Sequence, residues 1–385
     1  LGHSMKAPPI DSNRLTNSQG IPPMTSSFLS ANTLIGATYP IVAIPPKKPY
    51  RSTIAVFAPC RAAAIAEPEL DAELGLPLHL IEAVRCQYGE EASRIETGWA
   101  CSRRVTLRAN TLLASAEQVA GDLDAAGITF TRVPWYEDAF VLADGARERD
   151  LWNLDMYKQG KIYLQSLSSM LPPLALSPRA GADILDMCAA PGGKTSQMAA
   201  LAPGGDGVRA ARVTACEVSK PRAEKLEHNL AKLGAKNVQV MRTDASKLDD
   251  WFSFDQILLD APCTGSGTVH VQDDHAARYL TPALASGVER SQRALIDKAL
   301  RVLKPGGELV YSTCSVLTRE NEDVVSWALS RHKDCELVGA GLPAGALGSE
   351  EFSVPTLPCG LDGALTVCPS DLFEGFFLAK IRKLG

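Results

Sequence analysis

Read along its apolar and polar positions, the chain divides into three stretches of different rhythm. Through residue 66 it is rich in Pro, Ser, Thr and Asn and shows neither the 3.6-residue period of a buried helix face nor the alternation of a strand. Such a stretch buries too little apolar surface to order itself, so a flexible leader is expected over 1–66. Leu1, Gly2, His3 and Ser4 precede the first methionine, Met5, and read as a remnant of processing; the charged start and apolar centre of a secretory signal are not seen. From 67 to 150 the rhythm changes. "PLHLIEAVRCQYGEEA" carries apolar residues at helical spacing, and "SAEQVAGDLDAAG" is a helix opened by Ser115 and closed by Gly127. "RRVTLRAN", "FTRVPW" and "AFVLAD" have strand character, which together predicts a small α/β module. In the third stretch, 151–385, the link "YKQGKIYLQSLSSMLPPLAL" leads into apolar strands alternating with helices: "DILDMCA", "VTACEVS", "VQVMRTD", "QILLDAP", "GELVYSTC" and "GFFLAKIRK". That alternation predicts a parallel, doubly wound, Rossmann-like sheet covered on both faces, with ligands outside the carboxyl ends of its strands.

Composition narrows the class. With 385 residues and 45% hydrophobic content the chain is long enough for a sizeable core, and its apolar runs fall well short of a membrane span. The ten cysteines are scattered and never form C-x-x-C, which argues against a disulfide scaffold or zinc cluster and for a reducing, cytoplasmic setting. No metal, no membrane partner and a monomeric state are expected. A formal net charge of -5 gives no general affinity for polyanions, so nucleic acid must be met by local patches. Candidates are Arg103, Arg104 and Arg108 in "SRRVTLR", Lys158 and Lys161 in "YKQGK", and Lys220, Arg222 and Lys225 in "SKPRAEK".

The chemistry gathers at the expected strand ends, where the sequence places "CAAPGGKT", Glu217, Asp244, Asp260 with Cys263, and Cys314. "CAAPGGKT" is not a phosphate loop, because a Walker motif needs glycine where Cys188 stands, nor does it continue into G-x-G-x-x-G. What remains is a tight glycine turn from strand to helix that lets backbone approach a ligand closely. Glu217 at the next strand end can accept from ribose hydroxyls, and Asp244, one strand further, from an adenine amine. A nucleoside without phosphates suits that set, and S-adenosylmethionine is the obvious such cofactor. Two cysteines and an acid beside a methyl donor suit substitution at carbon 5 of a pyrimidine. That carbon is a poor nucleophile until a thiolate adds at carbon 6 and makes the ring an enamine. Asp260 would hold or protonate ring nitrogen 3 as charge builds there, one cysteine would attack and the other would assist release. Chemistry alone permits either division of labour between the thiols.

These residues resemble the Nol/Nop/Sun (Sun/RsmB-type) family of S-adenosylmethionine-dependent RNA cytosine-5 methyltransferases. The motifs that carry the resemblance run in order: "LQSLSSMLPPLAL", "ILDMCAAPGGKTSQMA", "EVSKPRAEKLEHNLAKLGAKNV", "DAPCTGSGT", "LKPGGELVYSTCSV" and "EGFFLAKIRK". The resemblance covers roughly 75–385 and implies that 67–150 is an RNA-binding module ahead of a methyltransferase domain. It implies that Cys188, Ala189, Ala190, Pro191, Gly192, Gly193, Lys194, Glu217, Arg222, Asp244 and Asp260 hold or border S-adenosylmethionine. It makes Cys314 the nucleophile and Cys263 the thiol that helps release product. The segment before "GFF" lacks an arginine the family often shows there, and the choice between ribosomal and transfer RNA stays open. The alternative is a catalytically silent RNA-binding or assembly factor built on the same fold. Intact "PCT" and "TCS" motifs argue against that alternative, and methylation of DNA fits less well because the DNA enzymes take their nucleophile from the "PC" motif.

Overall fold

The computed structural model describes residues 69–271 and 280–385, all within one compact unit, and the expected leader at 1–66 lies outside the described residues. The first two helices, α1 (Leu78–Tyr88) and α2 (Ala92–Ala100), bury Ile81, Val84, Ile95 and Trp99. Their partners are Val269, Val316 and Leu317, which follow the two cysteine motifs, rather than the strands next in sequence. Trp99 Nε1 donates to the Ser266 carbonyl at 3.0 Å and the Tyr88 hydroxyl to the Val316 carbonyl at 2.6 Å. The helices therefore brace the loops on which both cysteines sit.

A small antiparallel sheet follows, built from β1 (Thr106–Ala109), β2 (Phe130–Val133), β3 (Tyr136–Leu142) and β4 (Ile162–Leu164) in the order β2-β3-β1-β4. Helix α3 (Ala116–Ala125) starts where expected, because Ser115 and Gln118 form a capping box that satisfies two of its free N–H groups. Leu107, Val119, Leu123, Phe140 and Ile162 close the core between sheet and helix. The edge strand β4 comes from beyond residue 150, so the "IYL" of the link is part of this sheet.

Past short helices α4 (Glu148–Trp152) and α5 (Asp155–Lys158) and the longer α6 (Leu167–Leu176), the large sheet begins. Its parallel half is β5 (Asp183–Asp186), β6 (Arg212–Cys216), β7 (Val238–Met241), β8 (Phe254–Asp260) and β9 (Leu303–Thr313). Helices α7 (Gly193–Leu201), α8 (Lys220–Lys232), α9 (Pro282–Val302) and α10 (Glu322–Arg331) connect the strands. Ile184, Leu185, Ile257, Leu258, Leu309 and Val310 are fully buried, as central parallel strands covered on both faces require.

The order β11-β12-β13-β9-β8-β5-β6-β7 departs from an all-parallel sheet. β13 (Phe376–Lys383) runs antiparallel to β9, and β10 (Cys335–Val338), β11 (Thr356–Leu357) and β12 (Leu365–Val367) add further antiparallel pairs. An apolar run marks a buried strand without marking its direction, and strands this short leave no periodicity to read. From β5 the chain winds outward through β6 and β7 and then returns to β8 on the other side of β5. The reversal lies between β5 and β8, where open sheets of this kind bind ligands at the carboxyl ends.

Candidate active site

Asp186 closes β5, and the turn after it carries Cys188, Ala189, Ala190, Pro191 and Gly192 into α7. Gly192 has φ 109°, a left-handed conformation that side chains avoid, and a Cβ there would lie 2.9 Å from Leu226. A Cβ on Gly193 would lie 2.7 Å from the Tyr163 ring, so the ring would have to shift to admit a side chain there. The turn is pinned from α8: Arg222 Nη2 donates to the Ala190 carbonyl at 3.0 Å and Asn229 Nδ2 to the Pro191 carbonyl at 2.8 Å. Cys188 lies beneath it, and burial together with Asp186, Asp260 and Glu217 pushes its thiol well up.

Two carboxylates flank the turn on one side. Glu217, directly after β6, is 4% exposed, accepts from the Ser219 N–H at 2.9 Å and pairs with Arg222 at 3.3 Å. Asp244, past β7, accepts from the N–H and hydroxyl of Ser246 and pairs with Lys247 at 3.1 Å. Burial pushes the Asp244 carboxyl up, but the Ser246 and Lys247 contacts outweigh it and hold it below the usual range. Each carboxylate retains acceptor capacity beyond these bonds, because it offers about four lone-pair sites. An acceptor pair on neighbouring strand ends beside a backbone-lined turn fits the ribose and amine of a nucleoside-type cofactor.

On the other side of the turn, Lys194 reaches from the start of α7 to Asp260 at the end of β8. Its Nζ stands 2.8 Å from Asp260 Oδ2, donates to Ser169 Oγ at 2.8 Å and lies 5.7 Å from the centre of the Phe376 ring. Burial alone would lower the Lys194 ammonium, but Asp260, with smaller help from Cys314 and Glu374, more than offsets it and raises the group. The Ser312 hydroxyl fixes the second Asp260 oxygen at 2.8 Å. Lys194 is thus an ion-pair partner and more than a packed helix residue.

The loops after β8 and β9 run side by side, joined by backbone hydrogen bonds from Ala261 to Ser312 and from Gly267 to Cys314. They bring the sulfurs of Cys263 and Cys314 to 3.2 Å. The Cys263 thiol is pushed well up, first by its hydrogen bond with Cys314, then by burial and by the charges of Cys314 and Glu320. A cavity of about 480 Å³ opens between the small sheet and the turn, with Arg103, Arg104 and Tyr163 on one wall and Lys194, Asp260 and Glu374 on the other. Cys188, Ala189, Ala190, Pro191 and Gly193 also line it, whereas Glu217, Arg222, Asp244, Cys263 and Cys314 stand outside its lining.

The basic patch of "SRRVTLR" is divided by the fold. Arg108 is fully buried and spans the small sheet and the turn, donating to Gln165, Ser196 and the Gly193 carbonyl; its side chain is a strut and offers nothing to a polyanion. Arg103 instead faces the cavity and donates to the carbonyls of Thr268 and Gly267, with its Nε left without an acceptor. Sequence reasoning missed Glu320, a fully buried carboxylate between the two cysteine loops, because a glutamate shortly after a strand reads as ordinary helix-start composition. It also missed Glu374, directly before "GFF", which accepts from the Ser166 hydroxyl at 2.7 Å and lines the cavity.

Asp186 yields a prediction for stability. It is 1% exposed, and burial with the Asp260 charge pushes its carboxyl from 3.8 up to about 6 against a 2.7 Å hydrogen bond from Thr195. A carboxyl raised in the folded state adds stability below the unfolded value and loses it as pH rises through the folded value. At about 1.36 kcal/mol per pH unit, the rise from 3.8 to about 6 corresponds to about 3 kcal/mol lost between pH 4 and pH 6. Asp186→Asn should lack this decline in urea titrations across that window; parallel profiles for the two proteins would refute the assignment.

Among the described residues no helix is long and apolar enough to cross a membrane, and no three His, Cys, Asp or Glu side chains gather to hold a metal ion. Comparison with known proteins locates the chain. The family described as RsmF/B-like methyltransferase, ferredoxin-like domain, matches residues 76–147. Ribosomal RNA small subunit methyltransferase F of Shewanella piezotolerans is 36% identical over 290 residues, covering 73% of this chain and 58% of the relative. The protein of the same name from Shewanella loihica is 38% identical over 295 residues, with 73% and 57% covered. The chain therefore spans less than two thirds of the length of these relatives. Among solved structures, a methyltransferase homolog from Pyrococcus horikoshii superimposes with a TM-score of 0.66 at 34% identity, covering 81% of this chain and 97% of that one. NSun6 from Pyrococcus horikoshii, solved with SFG, gives 0.68 at 26% identity, with 80% and 98% covered. The family described as 16S rRNA methyltransferase RsmB/F matches residues 173–382, more than half of the sequence, and the chain belongs to that family.

Proposed function

We propose that this protein methylates carbon 5 of a cytosine in RNA through a covalent adduct between Cys314 and carbon 6. The observation that carries it is the pair of thiols 3.2 Å apart at neighbouring strand ends, beside the Lys194–Asp260 ion pair and the glycine turn. S-adenosylmethionine is the cofactor, and when bound it supplies an activated methyl group. Cys188 to Lys194, Glu217, Asp244 and Asp260 would hold or border it, and Arg222 would act by fixing Glu217 and the turn.

The Cys314 sulfur forms the bond to carbon 6, and carbon 5 gains electron density and takes the methyl group. Asp260, fixed by Lys194 and Ser312, faces ring nitrogen 3 and steadies the charge that builds there. A base then takes the proton from carbon 5, the electron pair of that bond re-forms the double bond between carbons 5 and 6, and the sulfur–carbon bond breaks with its electrons leaving on the Cys314 sulfur, which restores the aromatic ring. Cys263 assists that release. What supports this division of labour is placement: the Lys194 ammonium lies close enough to Cys314 for their charges to interact, while Cys263 sits on the loop that Thr264 ties to Glu320.

The relatives named for small-subunit ribosomal RNA make that RNA the first substrate to test, in a reducing cytoplasm suited to free thiols. The small sheet, with Arg103 and Arg104 on the cavity wall, would hold the strand that carries a flipped-out cytosine. Bisulfite sequencing of total RNA from cells with and without active protein tests the whole. One cytosine should lose its protection when the protein is inactive; unchanged patterns in every RNA would overturn the proposal.

A further inference from the structure

Glu320 sits in a one-turn helix, Thr318–Glu320, with no exposed surface. Its Oε2 accepts from the Thr264 N–H at 2.8 Å and from Gln292 Nε2 at 3.4 Å. Its Oε1 accepts from the Thr264 hydroxyl at 2.6 Å and from the Ser315 hydroxyl at 3.1 Å. Thr264 is the neighbour of Cys263, and Ser315 is the neighbour of Cys314. All four donors are neutral. A buried carboxylate is costly unless hydrogen-bonded, and here its bonds are spent on two loops that also meet through the Ser266–Ser315 hydroxyl pair and two backbone bonds.

The surroundings make this carboxylate a fixed point. Tyr311, fully buried in β9, donates its hydroxyl to the Glu320 carbonyl at 2.6 Å. Gln292, from α9, also holds the Pro262 carbonyl at 2.9 Å, directly before Cys263. Asn321 donates to the Ser315 carbonyl at 2.9 Å and accepts from Thr313 at 2.5 Å. Both loops are thus referred to one place in the core.

We propose that Glu320 is a positioning residue whose carboxylate clamps the two cysteine loops so that the Cys263 thiol stays against Cys314 while methylated product is released. It rests on the assignment of the two thiols made above. The Glu320 charge also adds to the rise of the Cys263 thiol, which keeps a proton on that sulfur.

Two readouts separate failure of the clamp from failure of the underlying function. The first needs no RNA: diamide, an azo oxidant, is reduced to its hydrazine as the two thiols lose their protons and electrons and join as a disulfide. Glu320→Gln sets an amide against the Thr264 and Gln292 donors, and Thr264→Val removes one donor while keeping shape. Thr264→Val, which leaves the Glu320 charge in place, should slow Cys263–Cys314 disulfide formation roughly tenfold, as expected for a lost hydrogen bond to a charged group; Glu320→Gln also removes the charge that raises the Cys263 thiol and is read through turnover and trapping. Thr264→Ser should recover most of that loss.

The second readout is turnover on small-subunit ribosomal RNA transcribed in vitro. Glu320→Gln and Thr264→Val should lower kcat while raising the fraction of protein trapped as a denaturation-resistant RNA adduct, and Thr264→Ser should reverse both. A residue important only for folding would lower kcat and adduct together. That outcome, or disulfide rates equal to wild type, overturns the clamp. If Glu320→Gln fails to fold, Thr264→Val carries the test alone. No methyl transfer by wild type and no adduct with Cys263→Ala would sink the function and with it this role in release, whatever the diamide rates show.

Discussion

Cys314→Ala is expected to abolish methyl transfer to RNA, by a factor on the order of 10⁴ or more, while leaving the fold and cofactor binding in place. In an intact pyrimidine ring carbon 5 has too little electron density to take a methyl group. Addition of sulfur at carbon 6 supplies that density, and with Cys314 gone the nearest remaining sulfur is Cys263. That thiol sits on the other loop, beside Thr264 and the Glu320 carboxylate that Thr264 holds, and is not placed to make the same bond. The substitution removes one sulfur from a half-buried position packed at the margin of the core, so loss of activity would not reflect unfolding. Single-turnover transfer of labelled methyl groups checks the rate, with thermal melting and cofactor affinity as controls. Full activity in the variant would show that Cys314 is not the nucleophile.

The doubly wound half of the fold was legible because central parallel strands are apolar throughout, as in "DILD" and "QILLD", and each ends in a residue with chemistry. Neither the antiparallel edge nor the true partner of α1 could be read. "GFFLAKIRK" has the same composition whichever way it runs, and a helix face tells that something covers it without telling what. Here the cover is the pair of cysteine loops, which lie 228 positions along the chain where Tyr88 meets Val316.

The candidate site divides along the same line. Cys263, Cys314, Asp260, Glu217, Asp244 and the glycine turn were visible because strand-end position and residue type coincide. Lys194 was visible as a motif member, but its 2.8 Å pairing with Asp260 joins residues from different strand ends and has no local signature. Arg108 shows the opposite error. Charge in "SRRVTLR" suggests surface, yet β1 turns that guanidinium inward, where Gln165 and Ser196 receive it. Glu320 escaped because its meaning lies wholly in the loops it joins.

Cys263→Ala is expected to convert turnover into trapping. With the 3.2 Å sulfur partner removed, Cys314 can still add to carbon 6 and the ring can still take a methyl group. What is lost is the group that helps break the sulfur–carbon bond, so the methylated base stays attached. Multiple-turnover rates should fall on the order of 10²-fold, the usual scale for losing an assisting proton-transfer group. A protein-RNA complex that survives denaturation should accumulate toward one adduct per protein when S-adenosylmethionine is present. A denaturing gel with labelled RNA reads it directly, and the Cys263→Ala, Cys314→Ala double variant should show no such band. The single and double variants together fix the order of events: a trap that needs Cys314 and appears only without Cys263 means that one thiol makes the bond the other helps to break. Normal turnover by Cys263→Ala, with no band, would leave the second thiol without a part in release, and the Glu320 clamp without a purpose in the reaction.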